Sequence, residues 1–108
     1  MDRGAPLAGM RVEFHPAVQN DLNAALDYYE AEGGTHLADR FEEEVRSCVA
    51  AIKAGPTRFS FYQKSDRFRR IRLKSFPYII VYRENSAVVR VSVLKHDRRH
   101  PRFGLARR

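Results

Sequence analysis

The spacing of hydrophobic and polar residues changes along this chain, and the change separates helices from strands. In residues 17–32 apolar side chains recur at intervals of three and four, and the same spacing returns between Thr35 and Gly55. That period places the apolar residues on one face of an amphipathic helix. Gly33-Gly34 separates the two segments and Gly55-Pro56 follows the second, so we predict two helices in an antiparallel hairpin.

Four other segments have the patterns of β-strands. Polar and apolar residues alternate in residues 11–14 and 70–74, whereas residues 78–82 form a continuous apolar run, typical of a central strand covered on both sides. Residues 88–94 predict the last strand. Its predicted inward residues are Val89, Val91 and Val93, and its predicted outward residues are Arg90 and Ser92. Residues 84–86 are expected to form the turn before it. The order predicts an α+β fold, β-α-α-β-β-β, with a helical hairpin packed on a small, mainly antiparallel sheet.

The length and composition indicate one small globular domain. A chain of 108 residues with 44% hydrophobic content has enough apolar side chains for one core and too few residues for two. Residues 1–9 contain two glycines and a proline without any period, which predicts a flexible extension. The predicted domain then covers residues 10–101, and residues 102–108 are a basic tail. Met10 is an alternative start to Met1, and the sequence leaves both open.

Several classes of protein and site do not fit the sequence. The single cysteine, Cys48, has no partner for an internal disulfide, which fits a reducing cytosol. The longest apolar run is far below the roughly 20 residues of a membrane-spanning helix, so we predict a cytoplasmic protein. One Cys and four scattered His give no zinc-ligand spacing, and no phosphate-binding glycine loop is present. We therefore expect no metal and no cofactor, and the oligomeric state stays open.

Charge is distributed unequally between the two halves of the chain. Residues 1–57 contain five Lys/Arg and ten Asp/Glu, whereas residues 58–108 contain fifteen Lys/Arg and three Asp/Glu. The basic half is also the half that holds the predicted strands, so its charge belongs to a folded surface. Such a surface attracts phosphate backbones or an acidic protein segment.

An ordered set of short motifs carries a resemblance to a known family. The chain resembles the RelE/ParE superfamily of toxins from type II toxin–antitoxin systems over about residues 10–101. The Phe-Pro-Tyr and His-x-Arg-Arg-x-Pro pieces are nearer to the ParE-like branch. The matching positions are a strand from Met10, then Ala17, Asp21-Leu22 and Asp27-Tyr28-Tyr29, then Leu37-Ala38, Arg40-Phe41, Ile52 and Pro56, then Arg69-Arg70, Phe76-Pro77-Tyr78 and Tyr82-Arg83, and finally Val93 to Pro101.

The resemblance implies a toxin whose partner is a cognate antitoxin with an acidic, partly disordered C-terminal segment. That segment would fold onto the basic sheet and the hydrophobic groove beside the helices. In the ParE-like branch the toxin inhibits DNA gyrase, with the helical hairpin associated with that effect, and it catalyses no reaction. In the RelE-like branch it cleaves mRNA in the ribosomal A site. A third hypothesis is a degenerate toxin that keeps only antitoxin binding.

The strands supply the candidate residues for the target and antitoxin surface. Alternation places Arg70, Arg72 and Lys74 on one face of a strand, where their charges add. Tyr78 and Tyr82 share a face of the next strand. Core packing is their more ordinary role, and stacking on a nucleic-acid base is the alternative. The predicted basic surface consists of Arg69, Arg70, Arg72, Lys74, Arg83, Arg90, Arg98 and Arg99.

Catalysis is expected only under the RelE-like hypothesis. The candidate catalytic residues are then His96 as general acid or base, with Arg70 and Arg98 stabilising the transition state. Arg69 and Arg83 would help to hold the phosphate. A simpler role for His96 is a hydrogen bond at the end of its strand. The chain has no C-terminal Tyr and no clear Glu partner for His96, which weakens the nuclease hypothesis.

Overall fold

A computed structural model describes residues 11–108 of the protein. The predicted extension of residues 1–9 and the choice between Met1 and Met10 lie outside these residues. The elements in chain order are β1 (Arg11–Phe14), the helical segment α1 (Ala17–Ala54), a 3-10 turn (Pro56–Arg58), β2 (Arg69–Arg72), β3 (Tyr78–Glu84) and β4 (Val88–His96).

The helical segment α1 is a hairpin of two arms, as predicted. Gly33 and Gly34 have non-helical backbone angles, and Gly34 has φ 79° and ψ −173°, a region that favours glycine. The rings of Tyr29 and Phe41 stack with their centroids 5.1 Å apart. In a straight helix these two positions would be separated by roughly 18 Å. The chain therefore reverses at the glycine pair, with residues 17–32 as the first arm and residues 35–54 as the second.

The four strands form one mixed sheet with the order β1-β4-β3-β2. The edge strand β1 runs parallel to β4, and the β4-β3 and β3-β2 pairs are antiparallel. The predicted fold class, a helical hairpin on a small, mainly antiparallel sheet, is therefore confirmed. Some strand boundaries differ from the prediction: β2 covers Arg69–Arg72 rather than 70–74, β3 extends to Glu84, and β4 extends to His96 rather than ending at Leu94.

A bulge in β4 changes which face its side chains occupy. Val81 pairs with Val93 and Tyr82 pairs with Val91, so Ser92 is an extra residue between the two pairs. Val91 lies in the core under the helices, whereas Val93 lies in a second core on the opposite face of the sheet. Ser92 is 2% exposed. The prediction of one inward face carrying Val93, with Ser92 outward, was wrong because the extra residue breaks the two-residue period.

The second face of the sheet is covered by irregular chain rather than by solvent. Its core contains side chains from the segment before β2 and from β3 and β4, and the C-terminal residues Phe103 and Leu105 pack against it. The buried members are Tyr62, Phe68, Ile79, Val81 and Val93. The central run of β3 is thus buried on both sides, as its sequence predicted. Among residues 11–108 no helix has the length and apolar content to span a bilayer.

The C-terminal segment is held in place by one buried and one half-buried cation. Lys95, 3% exposed, donates from Nζ to the carbonyls of His100 and Pro101 at 3.0 and 2.9 Å. Arg107 donates to both carboxylate oxygens of Asp21, at 2.6 and 3.0 Å. Residues 102–108 therefore pack onto the domain, whereas the sequence predicted only a basic tail.

Candidate functional site

The eight residues of the predicted basic surface occupy two ends of the sheet. One end lies where β2 stops and β4 stops, and we call its five cations the basic end. They are Arg70, Arg72, Lys74, Arg98 and Arg99. The other end lies at the β3–β4 turn and holds Arg69, Arg83 and Arg90. The sequence placed all eight on one surface, and the strand register divides them.

The strand register brings β2 and the residues after β4 together at the basic end. The partners of Arg70 and Arg72 on β3 are Val81 and Ile79, both in the second core, so both arginines lie on the face opposite the helices. Arg72 donates a hydrogen bond to the carboxylate of Asp97. That bond places the two residues after Asp97 beside β2. Arg99 in turn lies over the Phe103 ring at 3.9 Å.

Two carboxylates lie at this end of the sheet: Glu44 of the helical segment accepts the backbone N–H of Ser75 at 3.0 Å, and Asp97 is the one that neutralises an arginine of the basic end. The Asp97 backbone N–H donates to the Pro77 carbonyl at 2.9 Å, which fixes the turn after β4. The hydrogen bond from Arg72 lowers the pKa of the Asp97 carboxyl, and the charges of Arg72, His96 and Arg98 add to the effect. Asp97 therefore stays ionised and neutralises Arg72. Sequence analysis missed this role; the only signal was an acidic residue inside a basic run.

The other four cations of the basic end form no ion pair with the part of the chain that the structure describes. Within residues 11–108 no Asp or Glu oxygen lies within 4.0 Å of the charged groups of Arg70, Lys74, Arg98 or Arg99. Arg70, Lys74, Arg98 and Arg99 are also exposed. The basic end is thus a surface of four free positive charges around one neutralised pair.

The opposite end of the sheet is a cleft of mixed charge. Arg83 lies directly across from Arg90 in the β3–β4 pair, a repulsive arrangement. Arg90 approaches the Glu13 carboxylate at 3.7 Å and donates to the carbonyl of Arg108, and Glu84 lines the same cleft. The cleft has a volume of about 560 Å³. Its acidic and basic groups largely cancel, so it does not extend the basic end.

Arg69 is held inside the fold and is not a surface cation. Its side chain is 15% exposed, donates to the Phe59 carbonyl at 2.7 Å and lies 3.7 Å from a Glu84 oxygen. The guanidinium also lies over the Phe61 ring at 4.0 Å. These contacts fasten the segment before β2 to the sheet, which is a structural role.

The three candidate catalytic residues are not assembled into one centre. His96 pairs across the sheet with Tyr78 and its ring lies 5.4 Å from the Tyr78 ring, on the helix side. Arg70 lies on the opposite face, three strand positions along. Arg98 contributes its backbone N–H, which donates to His96 Nδ1 at 3.0 Å. The same Nδ1 lies 3.3 Å from an oxygen of Asp97, so the turn after β4 engages this nitrogen of His96.

The two candidate stacking residues belong to the aromatic core. Tyr82 is 0% exposed, its hydroxyl donates to the Pro56 carbonyl at 2.5 Å, and burial raises its pKa to about 12. Tyr78 is half-buried against Phe41, with ring centroids 5.0 Å apart. Tyr82 has no ring face open to a base, so for Tyr82 the stacking prediction was wrong. For metals, residues 11–108 contain no group of three His, Cys, Asp or Glu side chains placed as ligands.

An apolar groove lies between the helical hairpin and the sheet. It has a volume of about 500 Å³, and its rim carries Phe14, which is 48% exposed. Gln19, Glu42 and Arg46 supply polar groups to its lining. Its apolar lining comes from both arms, β3 and β4: Val18, Leu22, Val45, Val49, Ile80, Val91 and Leu94. The groove matches the predicted hydrophobic groove beside the helices.

Comparison with known proteins assigns the chain to a family. The model of the family described as "ParE toxin of type II toxin-antitoxin system, parDE" matches residues 12–101. This chain belongs to the ParE toxin family. A solved structure of a chromosomal ParDE toxin–antitoxin system from P. aeruginosa superposes with a TM-score of 0.73 at 15% identity, covering 82% of this chain and 96% of that one. No curated protein sequence gives a significant match to the chain.

Membership in the ParE toxin family also identifies one partner. The protein is the toxin of a type II system, so its partner is a cognate antitoxin. The matched region contains the groove and the basic end as far as Arg99. Of the C-terminal segment, residues 102–108 lie outside the matched region, although Phe103, Leu105 and Arg107 contact the core.

Proposed function

We propose that this ParE-family toxin inhibits DNA gyrase and is silenced when a segment of its antitoxin occupies the apolar groove. The observation that carries the proposal is the family match over residues 12–101, which spans β1 to β4 and both arms of the hairpin. Gyrase inhibition is the activity associated with that family. The proposal then assigns separate surfaces of the molecule to the two partners.

The tip of the hairpin is the candidate surface for gyrase. Residues 30–36 are all exposed, and Tyr28 beside them is 55% exposed with its ring edge against Tyr29. An exposed aromatic side chain on a rigid support is a common anchor of protein interfaces. Because residues 30–36 are exposed, the tip is accessible to a large enzyme.

The groove is the candidate surface for the antitoxin. Its apolar lining and its exposed rim residue Phe14 fit the apolar face of an amphipathic segment that folds on binding. Arg46 at the groove offers a positive charge to an acidic residue of that segment, although Glu42 at 3.3 Å partly offsets it. The groove and the hairpin tip lie on different parts of the helical layer.

A supercoiling assay tests the proposal. Purified toxin should block the supercoiling of relaxed plasmid by gyrase, and stoichiometric antitoxin should restore it. Translation-dependent loss of mRNA with unaffected supercoiling would overturn the proposal and favour the nuclease hypothesis. Activity in neither assay would favour a toxin that retains only antitoxin binding.

Two matched substitutions of exposed aromatic residues separate the surfaces. Tyr28→Ser should reduce gyrase inhibition by about tenfold or more, the effect of losing one interface anchor, and leave antitoxin binding unchanged. Phe14→Ser should weaken antitoxin binding by a similar factor and leave gyrase inhibition unchanged. Antitoxin affinity is measured by titration calorimetry. The assignment of surfaces fails if both variants lose the same activity.

A further inference from the structure

We infer that the basic end is a docking surface for the phosphate backbone of duplex DNA. The inference rests on the proposed function in one respect, since gyrase works on duplex DNA and would hold it next to a bound toxin. The basic end itself is described by geometry that does not depend on the target.

Charge in this molecule is separated by layer, which gives DNA one side to approach. The helical segment of residues 17–54 contains eight Asp/Glu and three Lys/Arg. Residues 59–74 and 95–108, which we call the basic layer, comprise β2 and the irregular chain that covers the second face of the sheet, and they contain twelve Lys/Arg and two Asp/Glu. A polyanion is therefore attracted to the layer that contains the basic end and repelled by the helices.

The chemistry of the basic end suits phosphate groups better than a protein surface. A specific protein interface usually has a desolvated apolar core with a polar rim. The large exposed apolar side chains among residues 11–108 are Phe14, Tyr28 and Phe61, and none belongs to the basic end. What the basic end offers is guanidinium and ammonium donors, which position a phosphate backbone without reading its sequence. An acidic antitoxin segment therefore fits the apolar groove better.

Duplex nucleic acid fits better than a single strand. Single strands are bound by aromatic rings on which bases stack. Tyr62 and Phe68 of the basic layer are buried, and Phe61 has the guanidinium of Arg69 over its ring at 4.0 Å. Within residues 11–108 the basic layer thus presents charges and not stacking platforms. Those charges lie along β2 and the turn after β4.

The charges give a quantitative expectation for salt dependence. Four free cations neutralise about four phosphates, so the logarithm of the binding constant should fall with the logarithm of salt with a slope of about −3.6. Between 50 and 200 mM salt the affinity should then fall by about 150-fold. The binding should not depend on base sequence, because backbone contacts carry no sequence information.

Asp97 supplies a substitution that should strengthen binding. Because its carboxylate neutralises Arg72, Asp97→Asn releases a fifth cation at the basic end. The affinity for DNA should rise, and the loss between 50 and 200 mM salt should grow to about 500-fold. Arg70→Gln and Arg98→Gln each remove one charge and should reduce that loss to about 40-fold. If Asp97, Arg70 and Arg98 served only the fold, the Asp97 substitution would not strengthen DNA binding while the two arginine substitutions weaken it.

The experiment is fluorescence anisotropy with a labelled 20-base-pair duplex and the full-length toxin freed of its antitoxin, without gyrase. Arg40→Gln, an exposed arginine on the second helical arm, is the matched control and should change nothing. Circular dichroism verifies that each variant is folded. The inference is overturned if the duplex does not bind, if single-stranded RNA of equal length binds more tightly, or if Asp97→Asn weakens binding.

The DNA result and the gyrase result can be told apart. Supercoiling inhibition with no binding to free duplex would support the proposed function and overturn the DNA surface. Salt-dependent duplex binding that follows the three substitutions, without supercoiling inhibition, would support the DNA surface and overturn the gyrase proposal. If an antitoxin peptide competes with the duplex for Arg70 and Arg98, the basic end is an antitoxin surface and the inference fails.

Discussion

The ion pair between Asp21 and Arg107 should contribute strongly to stability, although it joins the first helical arm to the penultimate residue. The two side chains are only 9% and 17% exposed, and they form two hydrogen bonds of 2.6 and 3.0 Å. Asp21 also accepts the backbone N–H of Leu94 at 3.2 Å, beyond the point where β1 ends. The carboxylate therefore satisfies the free edge of β4 as well as the arginine.

The expected magnitude follows from this burial. An exposed salt bridge contributes about 0–1 kcal/mol, whereas removing one partner of a buried pair costs about 3–5 kcal/mol. The Arg107 side chain is 17% exposed and regains water more easily than a fully buried group. We therefore expect Asp21→Asn to lower the free energy of unfolding by about 2–3 kcal/mol. For a domain of this size that lowers Tm by about 10 °C or more.

A double-mutant cycle isolates the pair from the rest of the fold. Asp21→Asn, Arg107→Ala and the double variant are unfolded with guanidinium chloride, and the coupling free energy should be about 1.5 kcal/mol or more. The coupling should persist in 0.5 M NaCl, since a buried pair is screened less than a surface pair. A coupling below about 0.5 kcal/mol would show that the pair behaves as a surface salt bridge and that the C-terminal segment is not fastened by it.

Two other predictions concern buried and backbone features. Tyr82→Phe leaves the Pro56 carbonyl without its hydrogen bond and should cost about 1–2 kcal/mol in urea unfolding. Burial raises the pKa of Tyr82 from 10.0 to about 12 in the fold, so the stabilisation from its neutral hydroxyl is complete below pH 10 and is lost as pH rises to 12. Tyr82→Phe should therefore flatten the fall in the free energy of unfolding over that pH range. Gly34→Ala should cost about 1–3 kcal/mol through its backbone angles alone, since nothing lies within 4 Å of an added Cβ. Gly33→Ala should cost less, because its added Cβ meets only the Leu37 side chain, which can move. Thermal melts of the two variants give the order, and a lower Tm for Gly33→Ala than for Gly34→Ala would contradict this prediction.

Local patterns predicted most of the fold because its elements are amphipathic. The helical period, the Gly33-Gly34 break and the apolar run of β3 each depend on near neighbours in sequence. Alternation failed in β4, where Ser92 is inserted between Val91 and Val93 and moves Val93 to the other face. A bulge is fixed by pairing with the neighbouring strand, so a period of two along one strand does not reveal it.

The packing of the C-terminal segment onto the sheet was not predicted, for a similar reason. Six of the last eleven residues are Arg or His, which is the composition of a solvated tail. Phe103 and Leu105 were the apolar signal for packing, and Gly104 with φ 84° allows the chain to approach Val93 closely between them. Their packing site is created by Tyr62 and Phe68, which are about forty residues away in sequence, so no local pattern contains it.

The basic surface was predicted in composition but not in arrangement. The sequence identified all the arginines of β2, β3 and β4 and gave Arg69, Arg72 and Arg90 the same role as Arg70. The structure pairs those three with carboxylates or carbonyls, whereas Arg70 has no acidic partner among residues 11–108. Which arginine meets Glu13, Glu84 or Asp97 is decided by strand register and the sheet order, both of which are long-range.

The way the interior cations are satisfied explains why the surface remains so positive. Lys95 and Arg69 are bound largely by backbone carbonyls, and a carbonyl stabilises a cation without cancelling its charge. Few carboxylates remain in the basic layer, and Asp97 at the basic end is already engaged by Arg72. The free cations at that end therefore repel one another in the isolated toxin. A bound polyanion relieves that repulsion, so the same feature that costs stability in the free protein favours association with DNA.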